Sequence, residues 1–172
     1  MILGSKLVQE NGVKSRCKDK HLDIVDFILL NCCDVKENLR QLYRRVAFNI
    51  AIGNSDDHFR NHGFLLTPRG WTLSPAYDMN PTLNEYQALL INSATNQADL
   101  NVLLDSSDEY MIGKDEAKRI INEVKAGVCQ WKAIATRLGI AKREMEVFEQ
   151  VIARVVPNGS VSYRDKLTYL LC

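Results

Sequence analysis

A buried-helix pattern that stops at a polar loop is the feature that most constrains how this chain folds. From about Glu37 to about Ile52, apolar residues recur at the i, i+3, i+4 and i+7 spacing: Leu39, Leu42, Tyr43, Val46, Ala47 and Ile50. This period predicts an amphipathic helix that is buried along one face. Gly53-Asn54-Ser55 is typical of a helix C-terminus, so the loop that follows is expected to start at a fixed point.

The remaining patterns predict a mainly α fold with a small inserted β-hairpin. A first helix is expected from His21, and a hairpin from segments 63–67 and 71–74 around the turn residues 68–70. A further short strand is expected at 88–91. Helices are expected at about 99–105, at 115–138 with Gly139 as the stop, and around 145–155, with a last short helix after Pro157. Residues 1–20 are expected to be a poorly ordered segment before one domain at 21–172.

Composition excludes several classes of protein. The chain has 22 basic and 21 acidic residues and no long basic run, which argues against direct binding to nucleic acid. No apolar run approaches the roughly 20 residues of a membrane helix. The five cysteines have no metal-like spacing, and no signal peptide is expected at the start. We therefore expect a cytoplasmic protein with reduced thiols.

Three polar residues in and after the loop have the chemistry of a phosphoryl-transfer site: Asp56, Asn61 and Asp78. One carboxylate can orient an attacking hydroxyl, while an amide oxygen and a second carboxylate hold Mg²⁺ against nucleotide phosphates. Mg²⁺ prefers such hard oxygen ligands. Because a hairpin folds the chain back, Asn61 and Asp78 are expected to meet at one ion. An Asp-x4-Asn loop, a hairpin and a further Asp is the protein-kinase arrangement.

The literal sequence strengthens this interpretation. The runs FNIAIGNSDDHFRNHGFLL (residues 48–66) and WTLSPAYDMNP (residues 71–81) closely resemble the HipA-like serine/threonine kinases, over most of the chain from about His21 onward. The resemblance implies a kinase-like C-terminal lobe that uses ATP and Mg²⁺, acts on a protein substrate and pairs with an antitoxin. It implies that Asp56 is the catalytic aspartate and that Asn61 and Asp78 bind the metal and nucleotide. His58 lies where the family also has a histidine.

Several of these residues also have plainer interpretations. Asp56 alone could be a loop-capping aspartate. His58 could be a general base, although an orienting role is favoured, and Asp57 is expected to support the loop rather than react. His21 and His62 are expected to be surface or packing residues. Trp71 and Tyr77 are expected to be core aromatics that hold the hairpin.

A working kinase also needs a loop and a lysine that grip the phosphates, and neither is recognisable here. Family members carry them in an N-terminal lobe, whereas only 20 residues precede the resemblance. The chain is thus expected to be a fragment, a natural truncation or one subunit of a split kinase, and to be weakly active or inactive alone. The alternative is a non-catalytic helical module that docks a protein partner. A bare lobe surface would favour a homo-oligomer.

Overall fold

Helices dominate the computed structural model, which describes residues 2–3, 20–82 and 86–155. In chain order the helices are α1 (His21–Asn31), α2 (Val35–Ile52), α3 (Leu100–Asp105), α4 (Lys114–Val128), α5 (Trp131–Arg137) and α6 (Lys142–Val155). Single 3-10 turns lie at Phe59–Asn61 and Ser107–Tyr110. The strands are β1 (Ile2–Leu3), β2 (Gly63–Thr67) and β3 (Gly70–Leu73).

Helix α2 is the centre of the core. It packs on α4 most extensively and also contacts α1, α3, α6 and β3. The apolar stripe predicted from the sequence is buried along its length, and Leu42, Val46 and Ile50 have no solvent exposure. Tyr43 stacks edge-on against Tyr110 and donates its hydroxyl to the Leu103 carbonyl at 3.0 Å, so even its polar end is satisfied.

The hairpin forms where its turn residues predicted it. Strands β2 and β3 pair antiparallel, with Leu66 opposite Trp71, and β1 adds to the other edge of β2. The backbone N–H of Cys33, just after α1, donates to the Trp71 carbonyl at 2.9 Å. This bond fixes the sheet against the helical core. Trp71 is partly buried against that core, as expected for an aromatic that holds the hairpin.

The prediction for residues 1–20 falls largely outside the described residues, because nothing between 4 and 19 is described. Of residues 1–20, Ile2 and Leu3 are described, and they form the short strand β1. The predicted last helix after Pro157 also lies outside the described part of the chain.

Two element predictions are wrong. Segment 88–91 is not a strand, because Leu90 forms only a single bridge with Lys20. The side-chain oxygen of Asn92 accepts from the backbone N–H groups of Ala94 and Thr95, both at 2.8 Å, and turns the chain at once. The helix predicted over 115–138 is two helices, since the backbone leaves α4 after Val128 and restarts at Trp131.

The break lies beside Gly127, and glycine is an unfavourable residue in the interior of a helix. The N–H of Gln130 donates to the Gly127 carbonyl at 3.1 Å, a contact three residues back that tightens the last turn and ends α4. Gly139 has φ +75° and ends α5 as predicted.

No described helix is both long and apolar enough to cross a bilayer. Cys32, Cys33 and Cys129 are free thiols, which agrees with the expectation of reduced cysteines for this described subset.

Gly53 occupies a position where a larger residue does not fit. We expect Gly53→Ala to lower the free energy of unfolding by about 2–4 kcal/mol. Its φ is +70°, and an added Cβ would overlap the side chain of Val151 on α6. Gly139 is the matched control, since its φ is +75° but nothing lies within 4 Å of the added atom. Gly139→Ala should cost only the left-handed strain, about 1 kcal/mol. Chemical denaturation of both variants checks the difference.

The double variant Gly53→Ala/Val151→Ala should recover part of the loss, because it removes the overlapping methyl group. Equal destabilisation by Gly53→Ala and Gly139→Ala would contradict the packing argument.

Candidate active-site loop

The loop begins from a rigid support. Gly53 ends α2 in the left-handed conformation, and its N–H contacts the Asn49 and Ile50 carbonyls. The Asn54 N–H donates to the Asn49 carbonyl at 2.8 Å, and the Asn54 side-chain nitrogen donates to the Asn49 side-chain oxygen at 3.1 Å. The backbone N–H and the side chain of Asn54 are thereby both hydrogen-bonded to the last turn of a buried helix. These bonds fix the point at which the loop leaves α2.

Asp56 and Asn61 lie together in this loop, as predicted. The Asn61 side-chain nitrogen donates to the Asp56 backbone carbonyl at 2.9 Å, and Asn61 itself is buried. The Asp56 N–H donates to the Asn54 side-chain oxygen at 3.2 Å. The backbone of Asp56 is therefore held, while its side chain is 72% exposed and free to meet a ligand. The side-chain oxygen of Asn61 is left for a ligand as well.

His58 lies beside Asp56 but does not make a close hydrogen bond to it. Its Nε2 is 3.8 Å from the Asp56 Oδ1 and accepts a hydrogen bond from the Arg60 guanidinium at 3.0 Å. An imidazole nitrogen that accepts from arginine carries no proton, so the ring is neutral with its hydrogen on Nδ1. The contact to Arg60 agrees with a histidine that orients the loop, and its catalytic role stays a prediction.

Asp78 is held to the same loop through its neighbour. The Tyr77 hydroxyl donates to the Arg60 carbonyl at 2.7 Å, so Tyr77 does more than pack under the hairpin. Asp78 is exposed, has φ +55°, and its Oδ1 accepts from the Asn80 side-chain nitrogen at 2.9 Å. Within the described ranges no hydrogen bond joins Asp78 directly to Asp56 or Asn61. A left-handed non-glycine residue stores about 1 kcal/mol of strain, so surrounding contacts must hold it.

The neighbouring carboxylate, Asp57, points the opposite way. It is 1% exposed and both of its oxygens are used: Oδ2 is 2.9 Å from the His21 Nε2, and Oδ1 is 2.7 Å from the His62 Nε2. The expectation that His21 and His62 are surface or packing residues was incomplete, because both are fully buried and are hydrogen-bond partners of Asp57. The expectation that Asp57 supports the loop agrees with these contacts.

The hydrogen-bond pattern assigns the charges of this cluster. The His21 Nδ1 donates to the Leu90 carbonyl at 3.0 Å while its Nε2 faces the Asp57 carboxylate. Both of these partners accept, so both ring nitrogens carry hydrogen and His21 is an imidazolium. Within the described part of the chain, His62 donates from Nε2 alone, and its buried Nδ1 has no partner there. His62 is therefore neutral, and the cluster contains one buried ion pair, His21–Asp57.

Burial by itself would raise the pKa of Asp57, but electrostatic attraction to the His62 ring, hydrogen bonds from His21 and His62, and attraction to His21 hold that pKa far below its usual range. Burial lowers the pKa of His62, against the pull of Asp57. This direction agrees with the unpartnered Nδ1, because a proton there would be a buried donor without an acceptor.

Among the described residues, one cluster brings ligand atoms suited to a cation close together. His21, Asp57 and His62 offer ligand atoms within 4.8 Å of one another, but each imidazole already donates a hydrogen to the carboxylate, which a metal would have to displace. Asn61 and Asp78 offer oxygen atoms without such protons. Those oxygens fit the preference of Mg²⁺.

The family model described as the HipA-like C-terminal domain matches residues 7–158. The chain belongs to the HipA-like C-terminal domain family. The match begins earlier than the resemblance near His21 and includes the loop and every helix described above. A search among curated proteins found no match.

The fold of this HipA-like domain is also seen in a solved structure. It superposes on a HipA chain from Shewanella oneidensis MR-1, solved with HipB and operator DNA, with a TM-score of 0.65 and 16% identity. The match covers 80% of this chain and 34% of that one, so this chain spans about a third of that HipA. This likeness confirms the fold, and the site roles of Asp56, His58, Asn61 and Asp78 stay predictions.

Asp56 and Asp57 give a matched pair of substitutions in this HipA-like domain. Asp57→Asn should lower the free energy of unfolding by about 3–5 kcal/mol, because it leaves the buried His21 cation without its partner. Asp56→Asn should change it by less than about 0.5 kcal/mol, since that side chain faces solvent. Urea unfolding followed by circular dichroism measures both values. Similar losses in the two variants would contradict the assigned charges.

The lowered pKa of His62 also predicts a pH dependence. Below its unfolded pKa of about 6.5, the unfolded chain binds a proton at residue 62 that the folded chain refuses, so folding stability falls as the pH falls. His62→Gln keeps a donor near the Nε2 position but cannot titrate. Between pH 6.5 and 5 this variant should lose less stability than the natural chain, by up to about 1.4 kcal/mol per pH unit. Parallel stability curves would show that His62 is protonated in the folded state.

Proposed function

We propose that this chain is the C-terminal lobe of an ATP- and Mg²⁺-dependent serine/threonine protein kinase of the toxin–antitoxin type. The observation that carries the proposal is one rigid loop that holds Asp56 by its backbone and leaves its carboxylate exposed. The same loop contains Asn61 and is joined to the Asp78 segment by the bond from Tyr77 to Arg60. These are the parts that a kinase needs on this side of the nucleotide.

Each residue has a distinct proposed role. The Asp56 carboxylate accepts a hydrogen bond from the hydroxyl of the protein substrate and orients it. The side-chain oxygen of Asn61 and the carboxylate of Asp78 would hold Mg²⁺, which when bound supplies positive charge to the phosphate oxygens. Asn80 donates to one Asp78 oxygen and so orients that carboxylate. His58, neutral and hydrogen-bonded to Arg60, orients the loop beside Asp56.

The proposed partners follow from the solved relative. That HipA was solved with HipB and operator DNA, which supports an antitoxin as a partner of this chain; we propose no direct contact of this chain with DNA. Because the chain spans 34% of that relative, we propose that the phosphate-gripping part of the ATP site lies in polypeptide outside the 172 residues. The chain alone would then transfer phosphate slowly or not at all.

A second candidate is a non-catalytic module that docks a protein, and exposed leucines favour it. Leu30 at the end of α1 is 82% exposed and Leu66 on β2 is 67% exposed. Leu66 pairs with Trp71, and Trp71 bridges to Cys32, two residues after Leu30. Apolar surface of this kind is typical of a contact with another chain, either a separate lobe or a second copy.

Titration calorimetry with ATP separates these candidates. If the metal-side residues assemble here, the natural chain should bind ATP more tightly with Mg²⁺ than without it, and Asp78→Asn should reduce that gain at least tenfold. Asp56→Asn should bind as the natural chain does but lose any incorporation of labelled phosphate. Asp105→Asn is the control, because this exposed aspartate on α3 pairs with Lys114 and should change neither quantity.

Magnesium-independent binding, or none, would contradict a metal site in this lobe and favour the docking module. Phosphate incorporation that survives Asp56→Asn would contradict the role of that residue.

A further inference from the structure

A cavity lies beside the Asp78 segment, outside the residues of the proposed kinase site. Its volume is about 530 Å³, within the usual range for small-molecule sites. It is open to solvent on one side and lies between α2, the end of β3 with the chain that follows it, and α4. The described residues that line it are mostly apolar, and the apolar ones are Phe48, Leu73, Pro75, Ala76, Met79 and Val124. None of Asp56, His58, Asn61 and Asp78 is among them.

Arg45 on α2 lines this cavity and carries a charge that its neighbours do not balance. It is only 7% exposed. Its Nη2 donates to the Ser74 carbonyl at 2.7 Å, while its Nη1 is buried and has no hydrogen-bond partner among the residues that the structure describes. The acid that acts on it electrostatically is Asp57, and both oxygens of Asp57 are already engaged by His21 and His62. The His21–Asp57 pair is neutral as a whole, so one buried positive charge remains.

A second guanidinium lies at the same cavity. Arg44 is about one-third exposed, and its Nη2 is 3.2 Å from a Glu123 oxygen. A pair this exposed contributes little stability, so Arg44 can turn toward an anion at small cost. The cavity therefore combines apolar walls with two adjacent arginines at one side. A buried cation without a full set of partners is unfavourable, and a bound anion would offset that cost.

From this combination we infer that the cavity binds a small organic carboxylate whose apolar body packs between Phe48, Met79 and Val124, and whose carboxylate pairs with Arg44 beside the buried charge of Arg45. Arginine suits this ligand because its planar donors match the two oxygens of a carboxylate. The inference is independent of the proposed kinase function, since it uses other side chains. The cavity does adjoin the proposed kinase site, because its lining residues Ala76 and Met79 lie on either side of Asp78 in sequence.

Three probes with the same aromatic body test the charge requirement: 1-naphthoate, 1-naphthalenemethanol and 1-naphthylmethylammonium. Calorimetry with the full 172-residue chain should show 1-naphthoate binding at least tenfold more tightly than the neutral alcohol, and the cation binding least. Equal affinities for the three probes, or no binding of 1-naphthoate at millimolar concentration, would overturn the proposal.

Two variants locate the site. Ala76→Phe places a ring into the cavity from an exposed position on its rim, and it should abolish 1-naphthoate binding with the thermal melt unchanged. Arg44→Gln should weaken binding several-fold. Arg119→Gln is the matched control: Arg119 on α4 also pairs with Glu123, at 3.1 Å, but does not line the cavity, so affinity should stay the same. Binding that survives Ala76→Phe, or falls equally in the two arginine variants, would place the ligand elsewhere.

Discussion

The bond between the Asp57 carboxylate and two buried imidazoles is the interaction on which the rest of the site depends. His21 comes from the first turn of α1, His62 from the start of the hairpin, and Asp57 from the loop between α2 and that hairpin. A single carboxylate therefore joins three parts of the chain at one point in the core. Its strength comes from low solvent access, and its cost is the desolvation of an ion pair, which only a full set of hydrogen bonds makes tolerable.

With that point fixed, the geometry of the loop follows. Asp57 is 1% exposed and Asp56 is 72% exposed, so the two neighbouring carboxylates face opposite sides of the loop. The amide of Asn61 then closes the loop on the Asp56 carbonyl, and the hydroxyl of Tyr77 closes the next segment on Arg60. The exposed carboxylates of Asp56 and Asp78 are thus positioned by neighbours that do not themselves face the ligand. This division between buried support and exposed reactive group is common in active sites built on loops.

Local features were readable from sequence, and contacts between distant residues were not. The period of α2, its glycine stop and the turn residues of the hairpin each act over a few residues, and the structure has these elements within about two residues of their predicted bounds. The Asp57 cluster joins residues 36 positions apart, and no short-range pattern marks His21 as its partner. The one available hint was the pair of adjacent aspartates, of which Asp57 was expected to support the loop rather than react. The break after Val128 was missed because the apolar period continues through it.

The two neighbouring aspartates also bear on how such a domain can change over evolutionary time. In the proposed kinase function, reactivity depends on the residue that faces solvent and folding on the one that faces the core, so adjacent codons would be under separable selection. A lineage that no longer needed chemistry could replace Asp56 and keep an intact scaffold for binding a partner, whereas replacement of Asp57 would remove the scaffold too. The arrangement thus leaves a one-step route from an enzyme to a folded, catalytically silent relative.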